Sequence, residues 1–242
     1  NERNGGNRHQ KNGEDIGVGQ FIGKRKTQNI DQFAFAAFSF LFPSILIFSN
    51  AGGDLFALSF MLLALAAEGS FTKGIFFALA SLSRYNYLVF IIVFVTQIKL
   101  KEWPRFIMPI LVFWFPWLAF NYFETGNPLF SLEDSVYLNI QQKGFFAGLE
   151  IYHIILIAFF AVTMLLAKRN GKFNDFAKAF NLTAVISVIQ FLLSGIKEHR
   201  FLNFLVPAQS LNISAIRSGK IRFLMFSFLI IPDFVLYSML LK

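Results

Sequence analysis

Long uncharged apolar runs are the feature that most constrains the fold of this chain. Nine of them follow one another along the sequence, at 33–53, 55–67, 74–83, 85–98, 106–123, 151–167, 179–196, 201–216 and 223–232. Several approach the ~20 residues that cross ~30 Å of hydrocarbon as a helix. They lack the period-two alternation of a transmembrane barrel. The runs predict an all-α fold, a multi-pass transmembrane helical bundle of eight or nine membrane helices that includes short or re-entrant ones, over residues 33–242.

The composition agrees with this environment. Apolar residues make up 55% of the chain, charged residues only 15%, and phenylalanine occurs 34 times, which is typical of membrane proteins. The absence of cysteine excludes a disulfide framework and a thiolate metal site. The net charge of +8 resides in the short segments between apolar runs, so it indicates topology, and no nucleic-acid partner is expected.

The positions of the cations predict an orientation. Clusters at 24–26, 99–105, 168–178 and 217–222 should be cytoplasmic by the positive-inside rule. On that basis residues 1–32 form a polar cytoplasmic segment and residues 124–148 an external loop. We therefore expect an integral, multi-pass membrane protein, in the plasma membrane of a prokaryote rather than the endoplasmic reticulum.

The beginning of the sequence carries its own expectation. Residues 1–32 start with Asn and contain neither the apolar core nor the cleavage site of a signal peptide. We interpret the chain as a fragment whose upstream helices are missing.

Arg84 interrupts the apolar sequence between two cytoplasmic clusters. An even number of crossings is needed between those clusters, and the pieces at 74–83 and 85–98 are short for a full span. Arg84 is therefore predicted to mark a break on, or recessed from, the external side. An arginine toward lipid costs at least ~2.5 kcal/mol, so we expect an anionic partner or a wet cavity. The alternative is an arginine that snorkels to the lipid headgroups.

A second charged cluster, "KEHR" at 197–200, lies between two apolar runs on the predicted external side. Lys197, His199 and Arg200 occur where the positive-inside rule disfavours cations, so a bound anion is expected there, and a phosphate suits these donors. Glu198 could orient a cation or a sugar hydroxyl. The alternative is an ordinary charged interface loop.

Three segments carry a resemblance to a known family. "KEHRFLNFLVP", "NYFETGNPLF" and "DLFALSFMLLALAAEGSFTKGIFFALASLSRYNYLVF" are similar to segments of the GT-C superfamily of glycosyltransferases, in this order, over roughly residues 35–240. The resemblance implies an inverting transfer of a sugar, often mannose, on the non-cytoplasmic face. The donor would be a dolichyl- or polyprenyl-phosphate sugar, and the acceptor a glycan, lipid or protein.

The resemblance also implies roles for particular residues. Lys197, Glu198 and Arg200 match the family's charged motif near the lipid-phosphate donor, and Arg84 matches the basic residue after a short helix. His199 falls at the variable position of that motif. The substrate-binding candidates are Arg84, Tyr85, Lys197, His199 and Arg200.

The resemblance identifies the catalytic carboxylate less clearly than the substrate-binding residues. In the family it lies in the first external loop, and no such loop precedes residue 33. The candidates are therefore Asp54 and Glu198. Asp54 has a second interpretation, because a carboxylate at a helix N-terminus is also explained by capping and by the helix dipole.

No metal site and no required cofactor are predicted. Glu133 and Asp134 could together bind a divalent cation, although two adjacent carboxylates are a weak signal. His153 lies in an apolar run and is interpreted as a packed histidine rather than a ligand.

Two other functions remain open. A transporter or flippase-like protein for an anionic or lipid-phosphate substrate should show broken helices in two inverted repeats, and only the break near Arg84 is evident. The second open function is that of a non-catalytic GT-C relative that stabilises a partner enzyme.

Overall fold

The computed structural model describes residues 53–140, 149–169, 175–194, 199–216 and 218–228, with backbone only at 138–140 and 199–200. Within these ranges every regular element is helical and none is a strand, which confirms the all-α class. The predicted polar segment 1–32 lies outside the described residues, and so do Lys197 and Glu198.

Eight α-helices follow one another in the described part of the chain. They are α1 Gly53–Ala66, α2 Ser70–Ser83, α3 Ile91–Val95, α4 Trp103–Thr125, α5 Phe130–Ile140, α6 Ile151–Arg169, α7 Asp175–Leu193 and α8 Leu205–Ser214. Short 3-10 helices occupy Tyr85–Phe90, Leu100–Glu102 and His199–Leu202. Residues 219–228 are also helical.

Three helices are long and apolar enough to cross a membrane: Leu100–Thr125, Ile151–Arg169 and Asp175–Leu193. The 14 residues of α2 span about 21 Å at 1.5 Å per residue, less than the ~30 Å of hydrocarbon. The described residues thus hold three candidate membrane spans. The count of eight or nine stays a prediction.

The break predicted at Arg84 is confirmed. Helix α2 ends at Ser83, Arg84 is extended with φ −152° and ψ 115°, and the chain continues as the 3-10 helix Tyr85–Phe90 and then α3. The side chain of Gln97, beyond α3, contacts Lys73 near the start of α2. The chain therefore turns back at Arg84 and returns to the end from which α2 began, as the even number of crossings required.

Lys73 organises that end of the molecule, which we call the basal end. Its Nζ donates to the carbonyl oxygens of Ala64 and Leu65 at 3.4 Å each, and to Oε1 of Gln97 at 3.1 Å. These carbonyls belong to the last turn of α1, where a cation also complements the helix dipole. Nearby, Ser70 Oγ donates to Oε2 of Glu102 at 2.6 Å, which attaches α2 to the segment before α4.

Helices α2 and α4 pack closely at one glycine. A Cβ added to Gly74 would overlap the carbonyl oxygen of Phe106 and come within 2.6 Å of Pro109 Cγ. Only glycine lets the two backbones approach this closely. This contact places the start of α4 against the basal half of α2.

Residues 130–140, within the predicted external loop 124–148, form helix α5. Gly126, with φ 74°, ends α4, and its N–H donates to the carbonyl of Tyr122 at 2.8 Å. Asn127 then accepts the N–H of Leu129 on Oδ1 and donates from Nδ2 to Glu133 at 2.8 Å. The Gly-Asn-Pro stretch, which suggested a loop, is the turn between two helices.

Helix α8 lies inside the bundle between α6 and α7, and nine of its ten residues are buried. Asn212 and Asn181 exchange reciprocal side-chain hydrogen bonds of 2.8 and 2.9 Å. Gln209 donates to the carbonyl of Leu156 at 2.9 Å. The run 201–216 is thus a 3-10 helix and a short internal helix rather than one continuous helix.

Candidate functional site

Arg84 has the anionic partner that its position predicted. Its Nη2 lies 2.8 Å from Oδ2 of Asp54, in the first turn of α1 as the structure describes it. The Asp54 side chain is 5% exposed and that of Arg84 34% exposed. The pair therefore lies at the end of the α1–α2 hairpin opposite to Lys73, and we call this the cavity end.

The local backbone fixes the position of the guanidinium. A Cβ on Gly53 would come 3.0 Å from the carbonyl oxygen of Ser83 and 3.3 Å from Nε of Arg84. The arginine thus lies directly against the backbone at the start of α1. One turn below, Trp114 Nε1 donates to Ser81 Oγ at 3.0 Å and holds α2 to α4.

A cavity of 270 Å³ opens beside the ion pair. It is lined by Asp54, Leu82, Ser83, Arg84, Tyr85, Asn86, Ser135 and Phe201. These residues come from the start of α1, the end of α2, the 3-10 helix that follows Arg84, helix α5 and the 3-10 helix before α8. Arg84 therefore has both a carboxylate partner and a polar cavity, and Asp54 and Tyr85, two further candidates, line the same space.

The described end of the charged cluster, His199 and Arg200, adjoins this cavity along the backbone. Phe201 lines the cavity, and His199 and Arg200 precede it in the same 3-10 helix. The side chains of these two residues lie outside the described set. Whether they share a ligand with Arg84 stays a prediction.

An apolar groove of 440 Å³ adjoins the cavity. The two spaces share Tyr85, Asn86, Ser135 and Phe201. Beyond this shared wall the groove is lined mainly by aliphatic side chains: Leu88, Val89, Leu132, Val136 and Leu193. A polar chamber and an apolar channel thus meet at one boundary.

Helix α7 supports that boundary. Gln190 Nε2 donates to the backbone carbonyl of Asn86 at 2.7 Å. The ring of Tyr85 lies 5.9 Å from Trp114 and 6.4 Å from Trp117, measured between centroids. The turn that carries Arg84 is thereby attached to α4 on one side and to α7 on the other.

The ring contacts of Tyr85 lie before the last two turns of α4. Its ring packs on Trp114 and Trp117, and α4 continues for eight residues beyond Trp117 to Thr125, a length of about 12 Å at 1.5 Å per residue. Ser131 of α5 donates to Oδ1 of Asn121 at 2.6 Å, so α5 is attached to this upper part of α4. The predicted recessed position of Arg84 is consistent with this geometry.

The remaining candidates have structural explanations. Glu133 accepts the Asn127 amide in the turn before α5, and the described part of the chain has no group of three residues suited to a metal ion. His153 is 1% exposed, accepts the N–H of Glu150 on Nδ1 at 3.0 Å and packs 4.8 Å from the Phe191 ring. The interpretation of His153 as a packed residue is confirmed.

Sequence reasoning missed five residues of the cavity wall. Leu82 and Ser83 end α2, Asn86 follows the turn at Arg84, Ser135 lies on the unpredicted helix α5, and Phe201 lies in an apolar run. All but Ser135 lie in segments that carry the family resemblance, but the resemblance gives none of them a role. Their role depends on which helices meet, and no local pattern reports that.

Comparisons of this chain with family models, with curated proteins and with solved structures found no match. The geometry of the cavity and its neighbourhood is therefore the basis for assigning a function.

Proposed function

We propose that this protein is a membrane glycosyltransferase of the GT-C type. It would transfer a sugar, which we propose to be mannose, from a polyprenyl- or dolichyl-phosphate carrier to an acceptor on the non-cytoplasmic face. The observation that supports this proposal is that a polar cavity, which holds the Arg84–Asp54 pair, and an apolar groove are adjacent and share four lining residues. A lipid-linked sugar has the same division into a polar head and a hydrocarbon tail.

The apolar groove is the proposed binding site of the hydrocarbon tail. Ligand sites are commonly concave, mostly apolar and about 300–1,000 Å³ in volume, with a few polar groups that fix orientation. The groove has 440 Å³ and an aliphatic lining from the 3-10 helix after Arg84, α5 and α7. A branched prenyl chain would be held there by burial of apolar surface.

The cationic side chains are the proposed ligands of the polar head group. Arg84 lines the cavity, and the backbone of His199 and Arg200 adjoins it through Phe201. The proposed ligands of the polar head, which comprises the sugar and the phosphate, are Arg84, Lys197, His199 and Arg200. Charge-assisted hydrogen bonds of this kind are about twice as strong as neutral ones.

The proposed reaction is a single displacement at the anomeric carbon. The acceptor hydroxyl oxygen forms a bond to that carbon while the bond from the carbon to the phosphate oxygen breaks. The bonding electron pair leaves on the lipid phosphate, and the hydroxyl proton passes to a carboxylate. Asp54 and Glu198 are the proposed carboxylates, and nearby cations would stabilise the charge that develops on the phosphate.

Sugar transfer tests the proposal directly. Membranes containing the chain are supplied with radiolabelled polyprenyl-phosphate mannose, and incorporation into lipid and protein is measured. Arg84→Gln should reduce the rate by about tenfold or more, the scale of one hydrogen bond to a charged group. The control Arg105→Gln alters an exposed arginine in the first turn of α4, at the basal end, and should leave the rate unchanged.

The competing function has a different signature. A transporter would transfer no sugar with any donor, yet it would move an anionic lipid phosphate across the bilayer of proteoliposomes. That result would replace the transferase proposal with the transporter class.

A further inference from the structure

The described wall of the cavity contains one cationic and one anionic side chain. Asp54 and Arg84 form a 2.8 Å ion pair, and the other lining residues, among them Ser83, Asn86 and Ser135, are neutral. The described wall therefore carries no net charge. A phosphate monoester or diester is better matched by a wall with excess positive charge, because a nearby carboxylate repels it.

The donor and acceptor groups of this wall suit a neutral polyol such as a sugar. Each sugar hydroxyl both donates and accepts a hydrogen bond, so it fits next to a carboxylate that only accepts and a guanidinium that only donates. Asn86 adds an amide that can do both. The ring of Tyr85 adds an apolar face at the same boundary.

The size of the cavity points in the same direction. Its 270 Å³ is at the lower limit of the usual range for ligand sites, about 300–1,000 Å³. That volume suits one sugar ring rather than an oligosaccharide. The four residues shared with the apolar groove then mark where the sugar ends and the lipid begins.

We infer that the cavity beside Asp54 and Arg84 is a monosaccharide subsite, selected by its charge-neutral pair of acceptor and donor, and that the phosphate lies at the shared wall toward the 3-10 helix His199–Leu202. This inference rests on the proposed function, which supplies a substrate with both groups. It makes the Arg84–Asp54 pair a determinant of sugar binding, and it places the phosphate outside the cavity that this pair lines.

The two assignments predict opposite effects of one substitution. Asp54→Asn keeps the shape of the side chain but removes the acceptor charge and leaves Arg84 unneutralised. If the cavity binds a sugar, Asp54→Asn weakens binding of the neutral ligand. If it binds the phosphate, Asp54→Asn strengthens binding of the anion.

Equilibrium binding to the full chain in lipid nanodiscs measures both. The neutral probes are the octyl glycosides of mannose, glucose and galactose, and the anionic probe is polyprenyl monophosphate, which has no sugar. Asp54→Asn should weaken the best octyl glycoside by about tenfold or more, the scale of one hydrogen bond to a charged group. It should not weaken polyprenyl monophosphate.

The matched control is Asp175→Asn, an identical change at a carboxylate that is 95% exposed and pairs with Lys178 on α7. It should alter neither affinity. Ser83→Ala changes a polar residue that lines the cavity but not the groove and leaves the ion pair in place, so it decides the matter if Asp54→Asn does not fold. It should weaken the glycoside by a few-fold, as expected for a neutral hydrogen bond, and leave the phosphate probe unaffected.

Three results would overturn the inference. They are tighter binding of polyprenyl monophosphate by Asp54→Asn with unchanged glycoside affinity, failure of the wild-type chain to bind any of the three glycosides, and unchanged glycoside affinity in all the wall variants that fold. Glycoside binding that responds as expected in a chain that transfers no sugar would instead contradict the transferase proposal and leave the sugar subsite in place.

Discussion

The two ends of the α1–α2 hairpin each hold a cation, and they use it differently. At the basal end Lys73 is 8% exposed, donates to two carbonyls and an amide, and lines neither the cavity nor the groove. At the cavity end Arg84 donates to a carboxylate and remains 34% exposed to an adjoining polar cavity.

The comparison separates a structural cation from a candidate ligand-binding cation. Both residues are unusual in so apolar a chain, so their rarity alone would mark both as functional. What distinguishes them is the partner. The ammonium group of Lys73 is bound by backbone carbonyls at the C-terminus of α1. The guanidinium group of Arg84 lines a cavity that a ligand can enter.

The largest expected effect concerns which side of the membrane the basal end and the cavity end each face. The chain has no cysteine, so single cysteines can be introduced without background, at the exposed positions Asp134 of α5 and Lys101 before α4. Asp134→Cys should react with an impermeant maleimide added to intact cells, and Lys101→Cys should react only after the membrane is permeabilised. Labelling of both from the same side would break the comparison, because the two ends would then not face opposite sides.

The next effect concerns the rigidity of the basal end. Gly74→Ala forces a methyl group into the backbone of α4, so we expect a loss of roughly 3 kcal/mol or more in the free energy of unfolding, at the upper end of the range for overpacking. The measurement is thermal or denaturant unfolding in detergent.

Gly69→Ala is the matched control for Gly74→Ala. A Cβ there meets only Thr72 Oγ1, at 3.7 Å, which is ordinary contact. Gly69 is also the N-cap of α2, where alanine is less favourable than glycine, so the expected loss is about 1 kcal/mol or less. Equal stability of the two variants would show that α2 and α4 are not held at Gly74.

The smallest effect sharpens the difference between the two cations. Lys73→Met keeps the length of the side chain and removes its charge and donors, so it should cost about 1–3 kcal/mol of stability through unsatisfied groups at the C-terminus of α1. In the folded fraction it should leave sugar transfer and ligand affinity unchanged. A loss of donor affinity without a loss of stability would assign Lys73 to a ligand site and remove the contrast with Arg84.

Much of the fold was predictable from local patterns. Uncharged runs without period-two alternation predict helices because backbone groups in an apolar medium must be satisfied within the segment. The parity of the cation clusters predicted the turn at Arg84, which the end of α2 at Ser83 and the Gln97–Lys73 contact confirm. Helix α5 was missed, since the Gly-Asn-Pro turn before it resembles the start of a long loop.

The candidate site was predictable only in part. Arg84 stood out because an isolated arginine in an apolar segment needs a partner, and the sequence offered Asp54 only as a capping residue or a catalytic candidate. The pairing of the two is a tertiary fact, 30 residues apart along the chain. The other candidates, Lys197 and Glu198, lie outside the described residues, so their roles stay predictions.

By itself the sequence determined the helical class, the division into apolar segments and the position of one break, because these follow from solvent and from backbone hydrogen bonding. Only the tertiary structure decided that Lys73 is used for packing, that Arg84 pairs with Asp54, and that α5 and the 3-10 helix His199–Leu202 complete a cavity beside them. The reason is that these properties depend on distances between helices, and side chains far apart in the sequence acquire a shared environment only when those helices pack.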